Sequence, residues 1–255
     1  MKTTQIGKHK VEIYDSVDAL PVLRFHAFNK MMLVDSGIGS DLNDWDAHAE
    51  RVIRFIMSDD KESAIKEMNN LRQNIYLVQS GVSPRHMAFA ALVKSIDGVE
   101  YDDLTTEGLA KVNAMIKEAT DKEIAAETEA AKKKIDEELA VYFPSSQDDP
   151  KNKEYHDLMR RRAILQCEKI INETDEYDAE IEQLTTKLLT FTKPKDFSGK
   201  DSVEVQYDKQ FENMCLIISK ELNANAKQMT VLEYYNAFEF VKDMQKQKQQ
   251  KSKKQ

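Results

Sequence analysis

The chain has 255 residues, a net charge of −8, 32% charged residues, and only 7 Gly and 5 Pro. High charge with few breakers suits exposed helices and argues against an all-β or glycine-loop-rich enzyme fold. The acidic balance argues against a general nucleic-acid binder, and no apolar run reaches the length of a membrane span. No secretory leader pattern opens the chain, so synthesis in a cytoplasm is expected.

In chain order, residues 8–14 (KHKVEIY) alternate at period two and predict a short strand. Residues 22–34 carry both alternation (Leu23, Phe25, Ala27) and helical spacing (Phe25, Phe28, Met32), and a helix is the preferred reading. Residues 35–40 (DSGIGS) read as a loop, with Ser40 or Asp41 capping the next helix. That helix presents Trp45, Ala49, Val52, Ile53 and Ile56 as its apolar face. Asp59 and Asp60 break it. The next, 61–80, steps through Ile65, Met68, Leu71, Ile75 and Val78. Ser83-Pro84 opens a third helix, which is expected to run to 96–98. Together 41–95 predict a small helical bundle. An extended link then leads to a helix capped by Thr105 or Thr106, which Thr120-Asp121 kinks or divides.

The most regular stretch is 155–191. Cys167, Ile170, Thr174, Tyr177, Ile181, Leu184, Leu188 and Phe191 alternate steps of three and four, a heptad seam. One helix from 151 would be roughly 60 Å long at 1.5 Å per residue and would need a partner helix. Ile116, Ile124, Thr128, Ala131, Ile135, Leu139 and Tyr142 supply one upstream, across the breaker at 143–150. The expectation is a long antiparallel hairpin over 101–193, either projecting from the globular part or lying along it, between an N-terminal strand and bundle (1–100) and C-terminal helices (194–241). In the latter, Tyr207, Phe211, Met214, Cys215 and Ile218 line one side of a helix over 203–222. Thr230 caps another carrying Leu232, Tyr235, Phe238 and Val241. Residues 242–255, with six lysines and one acid, predict a flexible basic tail. The fold class is mainly α: a compact helical bundle with a long helical hairpin and a short N-terminal β element.

Candidate chemistry is sparse. Asp41, Asp44 and His48 are possible metal ligands, but Trp45 breaks the EF-hand frame and an acidic helix start explains them better. Gly37, Gly39 and Ser40 precede a helix N-terminus, yet they lack the P-loop lysine and the third dinucleotide-loop glycine. Arg160, Arg161 and Arg162 form a basic cluster that Asp157 and Gln166 can pair within the helix. Cys167 and Cys215 read as buried thiols. His26, His86 and His156 show no paired spacing. No nucleophile-elbow or zinc-protease motif is present. Neither catalytic nor metal residues are assigned, and no cofactor. The side chains expected to carry function are interaction residues: Ile170, Tyr177, Ile181, Leu184 and Leu188 on the seam, and Leu232, Tyr235 and Phe238 near the C-terminus.

Four segments carry a family resemblance. Residues 20–45 (LPVLRFHAFNKMMLVDSGIGSDLNDW), 70–76 (NLRQNIY), 93–98 (VKSIDG) and 229–235 (MTVLEYY) are similar to sequences of crAss-like tailed bacteriophages. The resemblance implies a virion protein near the portal, a ring or adaptor subunit joining head to tail. Its partners would be copies of itself, the portal, and other connector or tail proteins. It implies no catalytic residue. A weak DNA contact through the basic tail and no membrane contact complete the expectation. The rival reading is an assembly factor of chaperone or scaffold type, present in the host cytoplasm but absent from the virion.

Overall fold

The computed structural model describes residues 1–116, 120–144, 150–191 and 193–252. The chain is mainly α, as its composition predicts, with a small antiparallel sheet at the N-terminus. Strands β1 (Lys2–Ile6) and β2 (His9–Ile13) form a hairpin, and β3 (Val93–Ile96) and β4 (Val99–Glu100) extend it in the order β1-β2-β3-β4. The β3–β4 turn is Asp97-Gly98, both at positive φ, as a two-residue hairpin turn requires. The expected helix over 84–98 therefore ends early. Helix α4 (Pro84–Leu92) passes without a loop into β3.

Helix α4 is the centre of the molecule. Met87, Ala88, Phe89, Ala90, Ala91 and Leu92 are all buried, which is why this segment is apolar all round. Around it pack the sheet, α1 (Val22–Ile38), α5 (Thr106–Met115) and α6 (Asp121–Tyr142), contributing Ile13, Phe28, Val112, Ile116, Ile124 and Ile135 to one core. The α4–β3 junction leaves carbonyls facing inward, and the buried Arg24 of α1 satisfies them. Its Nη1 donates to Val93 O at 2.7 Å and Ala91 O at 3.2 Å, and its Nη2 donates to Tyr101 O.

Helix α6 is thus a core helix and not the arm of a projecting hairpin. A capping box on Thr120 and Glu123 starts it, so the chain is divided there. Glu138 accepts from Val17 N at 2.8 Å, and Lys134 pairs with Asp15 at 2.8 Å, fastening α6 to the N-terminal segment. The breaker residues 145–149 lie outside the described residues.

The single helix expected over 151–191 is two. Helix α7 (Pro150–Asn172) stops at Glu173, which adopts positive φ, and α8 (Asp178–Phe191) folds back along it. Lys187–Glu154 and Arg161–Glu180 ion pairs, both 3.0 Å, fix the antiparallel register, and Tyr155 meets Phe191 at 6.1 Å between ring centroids. The partner sought upstream is the second half of the same stretch. The turn at 173–177 holds four polar residues (Glu173, Thr174, Asp175, Glu176) that a continuous heptad would have carried. Lys169 binds Asp175 and Asp178 across it.

Helices α9 (Val203–Leu222) and α10 (Val231–Ser252) close the fold against α1. Cys215, Ile218, Ala226, Tyr234 and Ala237 are buried with Val22. His26 stacks on Phe211 at 4.0 Å and Tyr207 at 4.7 Å. Backbone bonds from Val22 N to Met229 O and from Val231 N to Leu20 O, both 2.9 Å, tie the start of α10 to the start of α1. Helix α10 continues to Ser252, where a flexible tail was expected from 242. Lys248 reaches Glu221 at 3.1 Å, and residues 253–255 lie outside the described residues.

Candidate functional site

Helices α2 (Asn43–Met57) and α3 (Lys61–Ser80) pack as an antiparallel pair whose interior is polar. The inward side of α3 carries Ser63, Glu67, Asn70 and Asn74 with Ala64 and Leu71, and that of α2 carries His48 with Val52 and Phe55. Most of these polar groups have definite partners, although Asn74 Oδ1 is enclosed without one. Asn74 Nδ2 donates to Ile38 O at 3.0 Å and to Asp41 O at 3.1 Å. His48 Nε2 also donates to Ile38 O, at 2.9 Å. The carbonyl of Ile38, at the end of α1, has no intrahelical donor, and the side chains of His48 and Asn74 supply donors to it.

With Nε2–H fixed on Ile38, His48 Nδ1 lies 2.7 Å from Glu67 Oε1 and 2.8 Å from Arg51 Nη2. It accepts from Arg51 when the ring is neutral and donates to Glu67 when the ring is charged. Burial raises the Glu67 carboxyl, but the hydrogen bond from His48 and the charge and hydrogen bond of Arg51 outweigh it and leave it below its ordinary value.

Metal and anion readings lose their ligands here. Asp44 turns back and accepts from Ser40 N at 3.0 Å and Asp41 N at 3.3 Å, while Asp41, one of the two expected caps, accepts from Asn43 N, the first amide of α2, at 2.7 Å. Residues 35–38 belong to α1 and not to a loop. Among the described residues no group of three His, Cys, Asp or Glu side chains is placed to hold a metal ion. Gly37 has a packing role: a Cβ there would collide with the ring of Phe197, which is buried against Val34 and Ile38.

The apolar residues of α2 and α3 are largely outside. Trp45 is 42% exposed, Ile53 57%, Ile56 61% and Ile65 63%. Only Val52 of the predicted α2 face, and Leu71 of the predicted α3 stripe, are buried. At 100° per residue, Trp45, Ile53 and Ile56 fall on one side of α2, away from Glu50, Arg51 and Arg54 on the other. The pair thus presents an apolar back and a charged front.

The front faces the α7–α8 hairpin across a cleft of about 860 Å³. Arg54 bridges it, binding Glu50 at 2.9 Å and Glu182 of α8. Lys193 reaches Asp60 at 3.2 Å, and Asn70 Nδ2 donates to Lys195 O at 3.1 Å, so the segment after α8 closes one end.

The predicted interaction residues scatter over this frame. Ile170 is 76% exposed on α7, while Tyr177, Ile181 and Leu184 are half-buried and Leu188 is buried. Ile181 and Leu188 line the cleft. The inward residue of α7 is Leu165, so its register is shifted from the predicted seam, and Cys167 is exposed, not buried. Arg161 pairs with Glu180 of α8 instead of within its own helix. Leu232 and Tyr235 pack on the main core, and Phe238 on the α9–α10 cluster, so these three serve the chain's own interior. Sequence reasoning missed the apolar back of α2–α3, because it assigned those side chains to the core. No family model matches the chain, and comparisons with curated proteins and with solved structures return no match.

Proposed function

We propose that the chain is a non-enzymatic structural subunit that works by docking to neighbours, with the apolar back of α2–α3 as its principal contact. The observation that carries this reading is the inversion of that pair: isoleucines and a tryptophan in water, and histidine, glutamate and asparagines inside. Large apolar side chains exposed along one face of a helix in this way suit a site covered by a partner. The crAss-like resemblance, which covers α1 and the start of α2 (residues 20–45) and part of α3 (70–76), narrows the proposal to a head-to-tail connector or ring subunit of a phage particle. In a cyclic ring the α2–α3 back of one copy would meet a different face of the next. Exposed Ile170 and Ile171 on α7, or Leu216 on α9, are surfaces of matching chemistry.

Imaging of the purified chain over a concentration series, with mass spectrometry of purified virions, tests the proposal. Closed rings, and the chain among virion proteins, are the expected results. A chain abundant in infected cells but missing from virions would favour the assembly-factor reading. A monomer at every concentration that is also missing from virions would overturn the structural-subunit reading.

A further inference from the structure

Among the described residues lining the cleft between α2–α3 and the α7–α8 hairpin, two cations are without an ion pair, the exposed Lys195 and the half-buried Arg162. The acids on its walls are engaged: Glu67 by His48 and Arg51, and Glu50 and Glu182 by Arg54. Arg162 of α7 has no carboxylate partner among the described residues. Its Nε is enclosed without a hydrogen-bond acceptor, and its Nη2 meets only the Met159 sulfur, at 3.7 Å. A guanidinium held half-buried in this way lacks the oxyanion its planar fork is built to bind.

We propose that this cleft binds an acidic peptide segment of a partner protein, with Arg162 holding one carboxylate and the adjoining apolar wall taking its neighbours. The half-buried guanidinium offers a planar fork that suits a carboxylate, and the three wall carboxylates disfavour a dianionic phosphate. The cleft is far larger than an inorganic ion, and Leu188, Leu189 and Phe191 give it an apolar shelf. The amide of Gln166 beside it suits a peptide main chain more than a hydrocarbon tail. The site adds a second docking face to the assembly reading and rests on different atoms from the α2–α3 back.

The test uses a fluorescent nine-residue peptide with one glutamate between two leucines, followed by anisotropy on the full chain. Saturable binding is expected, weakened at least tenfold by Arg162→Met and by glutamine in place of the peptide's glutamate. Arg162→Lys should fall between, keeping the charge but losing the fork. Arg162→Met should melt no lower than the parent chain, since its Nε–H has no acceptor to lose. Ile56→Glu should bind the peptide normally, which separates failure of this site from failure of the assembly reading. No binding, or undiminished binding by Arg162→Met, overturns the proposal. Displacement by inorganic phosphate or decanoate as effective as by unlabelled peptide also overturns it, and assigns the cleft to a small anion or a fatty acid.

Discussion

Two regions of this molecule solve the burial problem in opposite ways. Around α4 the interior is mainly apolar, and the buried Arg24 satisfies carbonyls that the helix-to-strand junction leaves facing inward. In the α2–α3 pair His48, Ser63, Glu67, Asn70 and Asn74 are buried beside Val52, Phe55, Ala64 and Leu71, while Trp45, Ile53, Ile56 and Ile65 face water. The first arrangement stabilises a monomer. The second gains little from its own burial and holds a shape while leaving its hydrophobic surface for another chain. On the proposed reading, one part of the protein is complete alone and the other is half of an interface.

The comparison predicts a graded set of effects. Phe89→Ala should be the most damaging, costing about 3–5 kcal/mol by opening a cavity beside α4, read from urea unfolding at low protein concentration. Glu67→Ala should cost about 3 kcal/mol, because it leaves His48 and Arg51 charged or polar in a closed interior. Its partner prediction concerns pH. The Glu67 carboxyl lies below its ordinary value of 4.5 in the folded chain, so its stabilising contribution is present above that value. It is lost as pH falls further, toward the folded-state value. Glu67→Gln should therefore show a shallower loss of stability than the parent chain on acidification below about pH 4.5, measured by melting temperature. Gly37→Ala, which drives a methyl into Phe197, should cost about 1–3 kcal/mol and free the segment after α8, seen as faster amide exchange at 193–199. Ile170→Asp should be the mildest, within about 0.5 kcal/mol, because the side chain is exposed. A loss comparable to that of Phe89→Ala would restore the seam that the heptad spacing suggests.

What could be read from the sequence follows from which forces are local. Caps and breakers act over three or four residues, so Asp59-Asp60, Ser83-Pro84, Thr105 and Thr230 mark helix starts and stops correctly. The β3–β4 hairpin was also legible in Asp97-Gly98, but the apolar run before it resembles a helix equally well. The heptad over 155–191 misleads because spacing alone does not reveal that Glu173 turns the chain left-handed, letting one stripe become two facing helices. The polar interior of α2–α3 was not legible at all. It arises from the carbonyls at the end of α1, which only the tertiary fold brings to His48 and Asn74.

The central claim is that the apolar back of α2–α3 is covered in the working protein. Light scattering of the parent chain and of Ile53→Glu/Ile56→Glu over a concentration series tests it most directly. We expect a discrete oligomer for the parent and a monomer for the variant, with the unfolding free energy of the variant's monomer within about 0.5 kcal/mol of the parent's. An oligomer of unchanged mass in the variant would contradict the claim, as would a collapse of its fold, which would place these isoleucines inside the protein after all.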